Sequence, residues 1–323
     1  EKETGIQVLY DVYDSNEVLQ AKILTGRSGY DIVVPTNAFL AKQLQAKVYQ
    51  PIDKNKLSNY KNLDATLLTQ ANKFDPGNQH AVPYFYGINT LAINVKKVKA
   101  ALGSEAMPAN DWDLLFDPKY STKLKNCGIS VLDSPSEVLP MALHYLGKDP
   151  YSTQQADYDA AAKLLKSIRP SVTRFVGSGS DYIDQMARGQ ICAVLGWSGD
   201  IMIAANRAKE SKTGQSIQAL VPKSGGLLFF DVMAIPKDAK NVANAHKWID
   251  YIMRPEVHAG LSNTVFYANP NKASLAHVKP EIAKNPAIFP SEQVLATMLP
   301  PGVPDQATRR IITRTFTNFK ANR

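Results

Sequence analysis

The stretch "SDYIDQMARGQICAVLGWSGDIMIAANRAKES" (180–211) carries three elements in a row. Residues 180–189 read as a helix with Ser180 at its cap and Gly189 at its end. "ICAVLGW" (191–197) is a short continuous apolar run, the pattern of a strand buried on both faces. "SGDIMIAANRAKES" (198–211) starts the next helix. Alternation of this kind belongs to α/β folds, in which helices cover the faces of a mostly parallel sheet.

The grammar repeats outward from this stretch. Towards the C-terminus, "FFDVMAIP" (229–236) is a strand and "NVANAHKWIDYIMR" (241–254) an amphipathic helix. Val242, Ala245, Trp248, Ile249 and Ile252 form its inward side, and Pro255 stops it. Towards the N-terminus, "CGISVLD" (127–133) is a strand that leads into a helix over 136–147. A further helix over 158–169 ends at Pro170. "IQVLYDVY" (6–13) and "YDIVVPT" (30–36) read as strands flanking a helix over 14–25, a parallel crossover unit. Asp14 or Ser15 caps that helix, Gly26 follows it, and Val18, Leu19, Ala21 and Ile23 mark its apolar side. Apolar strands at about 90–94 and 217–222 are candidate crossings between two lobes.

A chain of 323 residues is long enough for two lobes with separate cores. The 44% hydrophobic and 20% charged fractions are those of a soluble globular protein, and no apolar run reaches the length of a membrane helix. The net charge of +8 raises nucleic acid as a partner. The lysines are dispersed along segments such as "NVKKVKAAL" (94–102), however, without a basic cluster or nucleic-acid motif, so that class is set aside. The chain starts at Glu1, not Met, and no signal peptide is read in it, so the expectation is that one was removed or that the sequence starts late. Cys127 and Cys192 lie in neither a CxxC nor a metal spacing. They are either two buried free thiols or a disulfide closing a loop of about 65 residues, and sequence pattern leaves both open.

Catalytic signatures are absent: there is no GxSxG, HExxH or GxxxxGK[ST]. His80, His144, His246, His258 and His277 are isolated and read as structural or exposed. "VGSGSDY" (176–182) is glycine-rich before a helix, so its amides suit an anion, but Asp181 in the first turn opposes one. Glu137 with Asp231 is the best pair for a carboxylate-dependent hydrolase. The remaining constellation is aromatic plus acid. Ligands of α/β sheets bind beyond the carboxyl ends of strands, which places Thr36, Glu137, Trp197, Asp200 and Asp231 near binding ends. Trp197 with Asp200, Phe229 with Asp231, and Tyr84 and Tyr86 in "VPYFYG" (82–87) would suit a ligand with an apolar middle and cationic ends. Rings attract cations and cover methylenes, and carboxylates pin ammonium groups.

At these residues the chain resembles the periplasmic polyamine-binding proteins of bacterial ABC importers, the putrescine and spermidine binders. The resemblance runs the length of the chain. It is carried by "EKETGIQVLYDVYDSNEVLQAKILTGRSGYDIVVPTNAFL", "LDSPSEVLPMALHYLGKDP", "ICAVLGWSGD", "FFDVMAIPKDAKN", "YIMRPEV" and "VFYANPNKA". It implies a type II-like fold of two α/β lobes joined by crossing strands, closing on the ligand at a hinge. One lobe is then 1–86 with about 211–250, the other about 87–210 with 251–323. It also implies that Asp200, Asp231 and Glu137 hold ligand amines. Trp197 and Phe229 become aromatic walls with Tyr267 beside them, and Thr36 stands where close relatives carry a pocket serine. Tyr86 stands where many carry tryptophan. Cys127 and Cys192 match the family's disulfide. The implied protein is a periplasmic monomer that makes and breaks no bond, needs no cofactor or metal, and delivers a polyamine to an ABC permease. A sensing receptor is the alternative partner.

Two departures from the family accompany this resemblance. Members carry a strand upstream of "EKETGI" and then a Trp-Ser-Asp-Tyr stretch that supplies pocket aromatics and an acid. This chain starts after it, so the expectation is a truncated sequence. "RFVGSGSDYI" (174–183) is less compact than in relatives, an expected influence on which polyamine fits.

Overall fold

Fourteen consecutive residues form β1 (Ala81–Asn94), a strand buried along almost its whole length. Only its pairing explains so long an apolar run. In this computed structural model, which describes residues 1–13 and 15–322, β1 joins β2 (Ile129–Leu132), β3 (Val172–Val176), β4 (Ala193–Trp197) and β5 (Ile217–Ala219) in the order β3-β2-β4-β1-β5. β6 (Leu228–Ala234) also pairs with β1. The sheet is mixed: β2 runs parallel to β3 and β4, whereas β1 is antiparallel to both β4 and β5.

The chain divides into two compact units, Glu1–Tyr86 with Phe229–Ala283, and Gly87–Leu228 with Lys284–Arg323. The crossings therefore fall after Tyr86, Leu228 and Ala283, not at 90–94 and 217–222. Residues 211–228 go with the second unit because β5 pairs with β1 at Ala92↔Ala219 and Trp112 Nε1 donates to the Gly225 carbonyl at 2.9 Å. Residues 251–283 go with the first. Asp64 N donates to Pro270 O at 2.8 Å, and Asn271 Nδ2 donates to Met253 O at 2.7 Å.

The second unit's core gathers Leu91, Trp112, Leu139, Tyr158, Leu195 and Phe316. Helices Pro135–Tyr145, Gln155–Ile168, Gly179–Ala187 and Ser198–Glu210 follow the expected spans closely. Helix Gln306–Lys320, not anticipated from the sequence, packs against the first two. The cap of Gly179–Ala187 is Ser178 in place of Ser180: Ser178 and Asp181 form a reciprocal capping box. Cys127 and Cys192 are disulfide-bonded with Cα atoms 5.4 Å apart, just ahead of the Ile129↔Ala193 pair of β2 and β4.

The first unit packs Ile52, Val82, Met233, Ile235, Ala245 and Ile249 into its core. Helix Val242–Ile252 buries Ala245, Ile249 and Ile252, as its periodicity predicts, together with His246. Helix Asn16–Leu24 is capped by Ser15, whose side chain accepts from Val18 N; Asp14 lies outside the described residues. Of its expected apolar side only Leu19 and Ile23 are buried, while Val18 is 52% exposed. The crossover unit expected over 6–36 is not formed as a pair of strands. Residues 6–13 belong to no strand, and Leu9 is 88% exposed. The 30–36 segment contributes single antiparallel bridges, Val33↔Ala234 and Thr36↔Asp231. Tyr13 fastens the two segments: its hydroxyl donates to Val34 O at 2.6 Å and accepts from Val34 N at 3.1 Å.

Candidate functional site

In the first unit the candidates converge on β6. Its side chains alternate, so Phe229 and Asp231 share one face and stay partly exposed, while Phe230 and Val232 are buried on the other. Thr36 faces Asp231 across its bridge, and Val232 N donates to Pro35 O at 3.0 Å, which fixes this register. Thr36 is the N-cap residue of helix Asn37–Gln45, yet its hydroxyl makes no capping bond. Its amide donates to Asn16 Oδ1 at 2.8 Å. Tyr267 follows Phe266, a left-handed helix end at φ 58°, and its ring meets that of Phe229 at 6.2 Å and 65°. Phe229, Asp231, Thr36 and Tyr267 thus lie together. Tyr86 does not join them directly: it is buried, and its ring packs 5.9 Å from Phe230 on the opposite face. Tyr13 and Tyr84 lie within electrostatic reach of Asp231. Burial chiefly, and the Asp231 charge in addition, raise both phenols above their ordinary range.

In the second unit the acids occupy equivalent helical positions. Glu137 is the third residue of helix Pro135–Tyr145, and Asp200 is the third of Ser198–Glu210. Each carboxylate therefore sits in a first turn, where unpaired amides present positive partial charge worth about 0.3–1 kcal/mol. Trp197 ends β4 and faces Asn89 of β1. Both donate to the same oxygen of Glu137: Trp197 Nε1 at 2.6 Å and Asn89 Nδ2 at 2.8 Å. Short donors to a carboxylate are of the strong, charge-assisted kind. Beyond Trp197, the Tyr182 hydroxyl accepts from Trp197 N at 2.9 Å and donates to Asp200 Oδ2 at 3.1 Å. Asn89, Glu137, Trp197, Tyr182 and Asp200 form one connected polar network.

Asn89 and Tyr182 were not singled out in the sequence. Asn89 left a signal, since a polar residue inside a long apolar strand must find a partner when buried, and it is 1% exposed. Tyr182 left none: its partners lie 15 and 18 positions away, across a strand–helix boundary.

The other sequence candidates carry less. The amides of Gly177 and Ser178 donate to Asp181 Oδ2 at 3.0 and 3.2 Å, so the glycine-rich loop spends on its own carboxylate the donors an anion would need. Glu137 and Asp231, the candidate hydrolytic pair, belong to different units. His80 uses a ring nitrogen on the Asp75 carboxylate, and His144, His246 and His258 each use one on a backbone carbonyl. Among the described residues no group of His, Cys, Asp and Glu could hold a metal ion, and no helix is long and apolar enough to cross a membrane.

Residues 1–290 match the family profile of the bacterial extracellular solute-binding proteins. The chain is 47% identical over 324 residues to the putrescine-binding periplasmic protein PotF of Escherichia coli (strain K12), covering 100% of this chain and 87% of that one. It is 47% identical over 323 residues to the putrescine-binding periplasmic protein SpuD of Pseudomonas aeruginosa (strain UCBPP-PA14), with the same coverage. Among solved structures, a Listeria monocytogenes protein assigned to spermidine/putrescine ABC transport is similar with a TM-score of 0.85 at 30% identity, over 100% of this chain and 93% of that one.

Proposed function

This chain belongs to the bacterial extracellular solute-binding proteins, and we propose that within that family it binds a polyamine, putrescine before longer amines, for an ABC importer. One observation carries the reading: the candidate carboxylates are set beside aromatic surfaces. Asp231 shares a strand face with Phe229, whose ring meets Tyr267, and Glu137 accepts from the Trp197 indole. Asp200 is joined to Trp197 through Tyr182.

The chemistry of the ligand follows from these groups. A diamine at neutral pH offers an ammonium at each end and methylenes between. Asp231, Glu137 and Asp200 are the acceptors offered to ammonium groups, with Thr36 as a neutral partner beside Asp231. Phe229, Tyr267 and Trp197 cover the methylenes, each of which contributes about 0.8 kcal/mol when buried. Tyr86 supports Phe230 behind the first of these surfaces. A micromolar dissociation constant needs about −8 kcal/mol. Charge-assisted hydrogen bonds of about 1.5–3 kcal/mol each reach it together with the methylenes. No step requires a nucleophile or metal, so the protein works as a binder and not an enzyme. It acts in the periplasm as a monomer that passes its ligand to a membrane permease.

A thermal-shift panel tests this with putrescine, cadaverine, spermidine, agmatine, phosphate and a sugar mixture. A ligand at a hundredfold over its dissociation constant adds about 2.7 kcal/mol to stability. The expected result is a rise with putrescine and none with phosphate or sugars. A rise with sugars or phosphate alone would overturn the polyamine assignment.

A further inference from the structure

We propose that Tyr182 is a positioning residue for ligand binding, aiming the Asp200 carboxylate, with Gly179 and Gly196 as the clearances it requires. The inference rests on the reading of Asp200 as an ammonium-binding residue.

A phenol has one hydrogen. The Tyr182 oxygen accepts from Trp197 N at 2.9 Å, and its hydrogen is committed to Asp200 Oδ2 at 3.1 Å. The bonds therefore run one way, from backbone amide to phenol to carboxylate, and each polarises the next. Tyr182 is fully buried, and burial first and the Asp200 charge second hold its hydroxyl well above the ordinary range, so it remains a donor. Trp197 and Asp200 lie on either side of the turn from β4 into helix Ser198–Glu210. One rigid ring from helix Gly179–Ala187 thus ties the backbone of an aromatic wall to the side chain of an acid.

The two glycines fit this role. A Cβ on Gly179 would collide with the Asp200 carboxylate, and a Cβ on Gly196 would lie 2.8 Å from the Tyr182 ring and hydroxyl. Neither position has a positive φ, so the glycine is needed for space and not for backbone conformation. In "GSGSDYI" and "LGWSGD", Gly179 and Gly196 therefore serve a single contact. With one oxygen held by Tyr182, the orientation of the carboxylate is set before the ligand arrives, which removes part of the ordering cost of binding.

The test is a double-mutant cycle read by titration calorimetry with putrescine. Parent, Tyr182→Phe, Asp200→Asn and the double variant are compared across pH 4–8. Tyr182→Phe is expected to weaken binding on the order of tenfold in the parent and to have no further effect in Asp200→Asn. The acid limb of affinity against pH moves up in Tyr182→Phe, because a carboxylate deprived of a donor protonates more readily. Gly179→Ala, which retains the phenol but displaces the carboxylate, gives a second route. It weakens binding in the parent and not in Asp200→Asn. Equal weakening by Tyr182→Phe in both backgrounds, with an unmoved acid limb, would make Tyr182 merely structural and overturn the proposal. Parent-like affinity of Asp200→Asn would instead remove Asp200 from the site, and this inference with it.

Discussion

Removing the Cys127–Cys192 bond tests how far the second unit depends on a restrained unfolded chain. The bridge spans 65 positions of sequence. In the chain-entropy treatment, closing a loop of that length removes about 14–15 cal/mol/K from the unfolded state, or about 4 kcal/mol at 25 °C. The unit spans 87–228 and 284–323, about 180 residues, whose melting entropy is about 0.4 kcal/mol/K. Cys127→Ala/Cys192→Ala should therefore lower its melting temperature by about 10 °C. Cys192 is fully buried, so the lost sulfur adds a smaller term of the same sign. The assay is a circular-dichroism melt of parent and variant without reductant, and of parent with excess thiol. The variant and the reduced parent should coincide. A variant melting within 2–3 °C of the oxidised parent would refute the entropic reasoning, because the packing left in place is otherwise the same.

Other expectations follow from single groups. His258 is buried and neutral, with Nε2 donating to Tyr84 O, and burial lowers its pKa to about 4. A depressed basic group leaves stability intact above its unfolded pKa of about 6.5 and loses it as pH falls towards the folded value, here about 2–3 kcal/mol by pH 4.5. Urea melts at pH 7 and 4.5 should show this loss, and it should shrink in His258→Gln; an unchanged slope would absolve the histidine. Gly225 has φ 93° and a Cβ there would strike the Thr297 carbonyl, while its own carbonyl accepts from Trp112 Nε1. Gly225→Ala should cost about 3 kcal/mol in a urea melt, and a change under 1 kcal/mol would show that the strand after it yields freely. Asn89→Ala removes the Nδ2 donor that Glu137 Oε1 receives alongside the Trp197 indole. It should weaken putrescine binding by a factor of about ten in calorimetry, whereas unaltered affinity would mean that Asn89 does not orient the acid.

The helices of the second unit were readable because their signals are local. Pro170 placed the end of Gln155–Ile168, and the end of the apolar run 191–197 placed the start of Ser198–Glu210, each to within a few residues. Strand pairing was not local. Residues 6–13 have apolar composition suited to a strand, but composition supplies no partner, and the segment lies exposed. Of β1 only about 90–94 read as a strand, and its antiparallel direction against β4 and β5 lies in no residue pattern. The domain boundary around 211–228 failed for the same reason: β5 is held by β1, which is more than a hundred residues earlier. For the candidate site, aromatic–acid adjacency located Trp197, Asp200, Phe229 and Asp231. The groups that orient them were hidden, since Asn89 and Tyr182 reach their partners only through the fold.

The proposed binding of a diamine's ammonium groups by the carboxylates of this chain is open to a direct measurement. Calorimetric titration of putrescine into the parent and into Asp231→Asn tests it most directly. The expected result is one site per chain with a micromolar or tighter dissociation constant in the parent. In the variant a loss of about 2–3 kcal/mol, on the order of a hundredfold, is expected. Absence of binding to the folded parent at millimolar putrescine, or equal affinity of parent and variant, would contradict it.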